Sequence, residues 1–120
     1  MTRRIMIDYI QRLEALHESG KLIIDDIISD NPDVETTEYE FVIAEYDTMM
    51  DDFTDVYSMS ERELAILLRY ELKHTKQILV ILKDYICKCT EDVYDLLDLY
   101  TQIQVAFYKI ARVREVANGC

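Results

Sequence analysis

Between Asp33 and Asn118 the chain has no glycine and no proline, and the two glycines of the sequence stand at positions 20 and 119. A stretch that long without a residue able to break or reverse the backbone cheaply is committed to helix wherever its apolar residues recur at helical spacing. They do so repeatedly. Ile5, Met6, Tyr9, Ile10, Leu13 and Leu16 mark a first helix that the sequence predicts to end near Gly20, with Leu22 to Ile28 as a short further helical piece. Asp30-Asn31-Pro32-Asp33 then breaks the chain, because proline lacks an amide donor and drives its predecessor out of helical geometry. Thr37 with Glu40 has the form of a capping box and opens a seam of Tyr39, Val42, Tyr46, Met49, Phe53 and Val56.

Ser60 with Glu63 repeats the capping pattern ahead of Leu64, Leu68, Ile78, Leu82, Tyr85 and Cys89, a seam interrupted by Glu71 and Thr75. A turn is expected at Thr90. Without it, residues 61–117 would form one rod about 85 Å long at 1.5 Å per residue. Val93, Leu96, Tyr100, Ile103, Phe107 and Ile110 give the last seam, with Lys109, Arg112 and Arg114 towards its C-terminal end, where cations suit the helix dipole. The expected architecture is all-α: one domain over residues 1–120, an antiparallel four-helix bundle with a short extra helical segment after the first helix.

The charge is distributed unevenly. From Leu22 to Glu61 there are thirteen carboxylates and no lysine, arginine or histidine, and this window accounts for the net charge of −11. Residues 1–21 carry four basic and three acidic side chains and residues 62–120 nine and eight. A single-sign field attracts a basic partner, speeds its encounter and weakens with salt. Direct nucleic-acid binding is disfavoured, because no basic patch compensates the acidic window. Glu38, Glu45, Asp47, Asp51, Asp52 and Asp55 are the candidate partner-binding residues. In composition and class, though in no motif, the chain is similar to the DNA-mimic inhibitors of phages and other mobile elements, which occupy the groove of a nuclease or polymerase. That resemblance implies a regulator of a nucleic-acid-handling protein. The alternative is a structural or adaptor bundle acting as a homodimer, with nine tyrosines supplying amphipathic contact area.

The N-terminal Met1-Thr-Arg-Arg reaches Asp8 without a signal-peptide core, and the longest aliphatic run, Ile78 to Leu82, is too short to span a membrane. Cys87, Cys89 and Cys120 form no disulfide framework. A cytoplasmic setting with no membrane contact is expected. No glycine-rich phosphate loop, nucleophile elbow, triad pattern or paired zinc motif is present, so neither enzyme activity nor a cofactor is expected.

One constellation carries potential chemistry. Arg12-x-Glu14-x-x-His17 recurs as Arg69-x-Glu71-x-x-His74, although the flanking halves align poorly. Glu-x-x-His on a helix resembles the ligand motif of ferritin-like di-iron bundles, which makes Glu14, His17, Glu71 and His74 metal candidates. Such a site also needs mid-helix carboxylates from the other two helices; Glu45 fits one, but the last helix offers Gln102 and Gln104 there. Arg-x4-His also resembles the signature of the HEPN ribonucleases, helical dimers that pair Arg with His across their interface. Those enzymes usually place a polar residue after the arginine, where this chain has Leu13 and Tyr70. The plainest reading is a buried polar pairing through Glu71 that fixes helix register.

Overall fold

The computed structural model describes residues 2–53, 55–88 and 94–118, all-helical with no strand among them. Its elements are α1 (Arg3–Asp30), α2 (Thr37–Met50), a single 3-10 turn (Val56–Ser58), α3 (Glu61–Lys88) and α4 (Tyr94–Asn118). The long dimension is 45 Å. A 28-residue helix at 1.5 Å per residue is already about 42 Å long, so the helices lie side by side and the single-rod alternative for residues 61–117 is excluded. Thr90 itself falls outside the described residues.

The expected end of the first helix at Gly20 is incorrect, and so is the separate segment after it. One helix runs from Arg3 to Asp30. Glycine ends a helix by adopting positive φ, and Gly20 does not. It belongs to the buried stripe Leu13, His17, Gly20, Ile24 and Ile27, whose 4-3-4-3 spacing continues through it. A Cβ built on Gly20 would lie 2.7 Å from Cγ2 of Ile78, so the missing side chain is what lets α1 approach α3. The helix ends instead at Asn31, whose amide donates to the Ile28 carbonyl (3.2 Å) and whose Nδ2 donates to that of Ile27 (2.9 Å), just before Pro32.

α2 also starts differently from expectation. Thr37 is its first residue and Thr36 the N-cap, so Thr37 and Glu40 do not form a capping box. Glu35 does the capping: its carboxylate accepts the Thr37 amide (2.9 Å) and the Thr37 hydroxyl, and those donors hold its carboxyl below the ordinary range. The helix stops at Met50; Phe53 and Val56 still pack on the core, from the connection that follows.

At the start of α3 the capping box is reciprocal, with the Ser60 amide donating to Glu63 and the Glu63 amide to Ser60 Oγ, both at 3.2 Å. The guanidinium of Arg3 donates to the carbonyls of Val56 (3.4 Å), Tyr57 (2.6 Å) and Met59, tying the start of α1 to the 3-10 turn. Leu64, Leu68, Ile78, Leu82 and Tyr85 are buried as expected, and α3 packs most extensively on α1. Ile103, Phe107 and Ile110 bring α4 onto the same core, with Tyr100 half-buried. Val93 and Cys89 lie outside the described residues.

Candidate functional site

The acidic window produces a surface with two flanks. Of its thirteen carboxylates only Glu45 is half-buried; the others are exposed. On a helix, residues seven apart share a face, so Glu38 and Glu45 form one flank of α2 while Glu40, Asp47 and Asp51 form another. The first flank faces α3: Glu45 pairs with Lys73 at 3.7 Å, and Glu38 lines a groove with Val42, Lys73, Lys76 and Val80. The second faces α1, where the charge of Asp47 acts on His17. Asp51, Asp52 and Asp55 carry the negative surface into the connection after α2. There Asp55 Oδ1 also accepts the Tyr57 amide at 3.1 Å, which starts the 3-10 turn. Among the described residues, Glu45 is the only one of the six candidate partner-binding acids in an ion pair.

Beneath α2 three residues of the recurring motif and the neighbouring Thr75 are gathered inside the protein. His17, Glu71, His74 and Thr75 are exposed by 4, 0, 1 and 0 % respectively. Tyr46 stands at their centre. Its ring stacks on His17 (centroids 4.1 Å apart, planes at 19°) and meets His74 edge-on (5.4 Å, 72°), while its hydroxyl donates to Glu71 Oε1 at 2.9 Å. The Thr75 hydroxyl donates to the Leu13 carbonyl at 3.4 Å. His17 Nε2, Glu71 Oε2 and His74 Nδ1 are buried with no hydrogen-bond partner among the described residues. An unpartnered buried polar group costs about 1–3 kcal/mol, so apolar contacts elsewhere must offset this layer.

Burial sets the protonation states. It pushes Glu71 up to about 7, against the opposing pull of the Tyr46 hydroxyl, and the charge of Glu14 adds to the rise. Burial lowers His17 to about 4, assisted by His74 and Lys21, and lowers His74 as well. Glu14, half-buried, is raised by the same cause. Both imidazoles are therefore neutral near neutral pH, and Glu71 is poised between its two forms.

No family model, no curated protein and no solved structure matches this chain.

Of the four metal candidates, His17, Glu71 and His74 each contact Tyr46, and Glu14 is half-buried close enough for its charge to act on Glu71. Among the described residues no group of three or more His, Cys, Asp or Glu side chains is arranged to hold a metal ion. The arginines of the motif stand apart from its histidines. Five residues along a helix turn the side chain by about 140° from where it began, so Arg12 and Arg69 are exposed while His17 and His74 are buried. Arg12 pairs with Asp8 at 3.1 Å and lies over the Tyr9 ring. Such positions build no joint Arg–His site within the chain. The hub, Tyr46, was legible in the sequence only as one apolar position of the α2 seam. The available signal was its seam position on α2 together with the two polar residues that interrupt the α3 seam, since buried polar groups on one helix require partners on the next.

No helix among the described residues is long and apolar enough to cross a membrane.

Proposed function

We propose that the acidic surface of α2 and the connection after it docks on a basic surface of a partner protein, and that the chain acts there as an inhibitor or regulator of a nucleic-acid-handling protein in the cytoplasm. The observation that carries this reading is the exposure of Asp47, Asp51, Asp52 and Asp55 with no cation paired to them among the described residues. Glu45, by contrast, is matched within the chain by Lys73. The role is one of binding rather than catalysis. We read the helices as an antiparallel four-helix bundle: Tyr39 reaches Asp25 of α1 while Tyr46, further along α2, reaches the earlier His17. In that arrangement the buried polar layer holds α2 in one register, and α2 presents the acids.

The test is affinity capture of the tagged chain from its native lysate at low and high salt, with a variant reversing Asp47, Asp51, Asp52 and Asp55 to lysine. The expected result is one basic, nucleic-acid-handling protein that is retained at low salt and lost both at high salt and with the variant. Equal recovery with the reversed chain refutes the reading. The second reading, a homodimeric structural or adaptor bundle, is favoured by exposed Phe41, Tyr57, Val80 and Tyr108.

A further inference from the structure

The outward face of α3 is written in heptads. Arg62, Arg69, Lys76 and Lys83 recur every seven residues, and Ile66, Lys73, Val80 and Cys87 stand four residues after each. All eight are exposed. At 100° per residue they share a stripe about 100° wide and, from Arg62 to Lys83, about 32 Å long, opposite the buried seam of the same helix. Outside the stripe Arg12 is answered by Asp8 and Lys88 by Asp84, each four residues away, while Arg4, Lys21, Lys109 and Arg112 stand singly and form no row. In this stripe only Lys73 has an ion-pair partner among the described residues. Five cations on one helix face, interleaved with exposed Ile66 and Val80, form an ordered positive row in a chain of net charge −11.

An occupant of this face needs acids at heptad spacing with an apolar residue between them. The chain carries that complement on the adjacent helix. Glu38 and Glu45 are seven apart on the α3 flank of α2, Asp52 follows seven residues later just past the helix end, and Phe41, 65 % exposed, sits between the first two. Acidic and basic rows are therefore neighbours on one face, joined by the Glu45–Lys73 pair and by the groove holding Glu38, Lys76 and Val80. A face carrying both halves of a complementary pair can meet itself across a two-fold axis, satisfying each half twice. Two copies brought together through the α1 flank of α2 would instead oppose acid to acid.

We infer that a second copy of this chain docks on the α2–α3 face, forming an isologous dimer in which Arg62, Arg69, Lys76 and Lys83 of each protomer face Glu38, Glu45 and Asp52 of its partner, with Phe41, Ile66 and Val80 packed between the rows. The dimer gives an interface to the homodimer reading above; it shares Asp52 with the partner-docking surface but leaves Asp47 and Asp51 on the opposite flank, and self-association of the purified chain tests it with no other partner present.

Sedimentation velocity on the purified full chain over about 5 to 200 µM, at low and at high salt, tests it, because a charged self-association follows mass action and is screened by ions. The wild type is expected to dimerise with rising concentration and to dissociate as salt is added. Reversing one row (Arg69→Glu, Lys76→Glu, Lys83→Glu) or the other (Glu38→Lys, Glu45→Lys, Asp52→Lys) is expected to raise the dimer Kd about tenfold or more. An equimolar mixture of the two reversed chains restores both complementary contacts and is expected to return to within about threefold of the wild-type Kd. Phe41→Ser, which changes no charge, is expected to weaken the dimer with helix content unchanged by circular dichroism. A wild type that stays monomeric at low salt throughout the range assigns the stripe to some other anionic partner and overturns the inference. So does a mixture that stays monomeric although both reversed chains are folded, or a reversed chain that dimerises like the wild type.

Discussion

Replacing Glu71 with glutamine should leave the fold intact and change how its stability responds to pH. In the folded protein Glu71 titrates at about 7, against an ordinary value near 4.5. The native state thus holds this proton more tightly than the unfolded chain does. The resulting stabilisation is fully present below pH 4.5 and lost as pH rises through 7. A shift of 2.5 units at 1.36 kcal/mol each is worth about 3 kcal/mol in total, of which about 2.5 kcal/mol falls between pH 5 and pH 8. His17 works in the opposite sense. Its value is depressed from 6.5 to about 4, so its contribution is complete above pH 6.5 and lost as pH falls towards 4; His74, depressed too, adds to that direction. In the wild type the two slopes largely cancel between pH 4.5 and 6.5. Glu71→Gln keeps an acceptor for the Tyr46 hydroxyl and removes only the carboxyl titration, leaving the histidine slope uncompensated. Urea unfolding followed at 222 nm at pH 5, 6, 7 and 8 measures the difference between the chains. The variant should be the relatively more stable protein at pH 8 and should lose about 2.5 kcal/mol against the wild type by pH 5. A stability difference that stays constant within about 0.5 kcal/mol across that range would refute the assignment of a displaced titration to Glu71.

Gly20→Ala places a methyl 2.7 Å from Cγ2 of buried Ile78; despite the helix-propensity gain of about 1 kcal/mol it should destabilise by roughly 1–2 kcal/mol in thermal unfolding. Ile78→Leu, which removes the β-branch methyl, should recover part of that loss in the same background, and additive penalties would show that the contact is not the cause. Tyr46→Phe leaves both Glu71 oxygens without a donor and should cost about 1–3 kcal/mol at pH 7 in urea unfolding, while moving the Glu71 titration further up. Ser60→Ala removes half of the reciprocal box at the start of α3 and should cost about 1 kcal/mol by the same assay, with helix content unchanged.

The periodicity of the sequence identified helices where tertiary packing follows the same stripe that the apolar residues mark. Leu64, Ile78 and Leu82 on α3 and Ile103, Phe107 and Ile110 on α4 are buried because their spacing leaves no other common face. Gly20 misled the reading because glycine has two uses, at a helix end and at a close helix contact, and local sequence does not distinguish them. The stripe running from His17 through Gly20 to Ile24 and Ile27 held the correct answer one level up. At Thr37 the error was local: Glu35, two residues before the helix, supplies the acceptor that a capping box would place inside it. Glu71 and Thr75 were legible as polar intruders in the α3 seam. What they touch was not, because Tyr46 and Leu13 come from other helices, and one strand of sequence carries no distances between helices.

The phenol of Tyr46, stacked on one imidazole, edge-on to another and bonded to a carboxylate, has an optical consequence. The chain contains no tryptophan, so its near-ultraviolet emission comes from its nine tyrosines alone. An excited phenol passes its proton readily to a bonded, ionised carboxylate, so Tyr46 emission should be quenched while α2 is seated and Glu71 is ionised, and should rise when α2 lifts away. The protein therefore contains its own reporter of that motion, readable without a dye or an introduced residue.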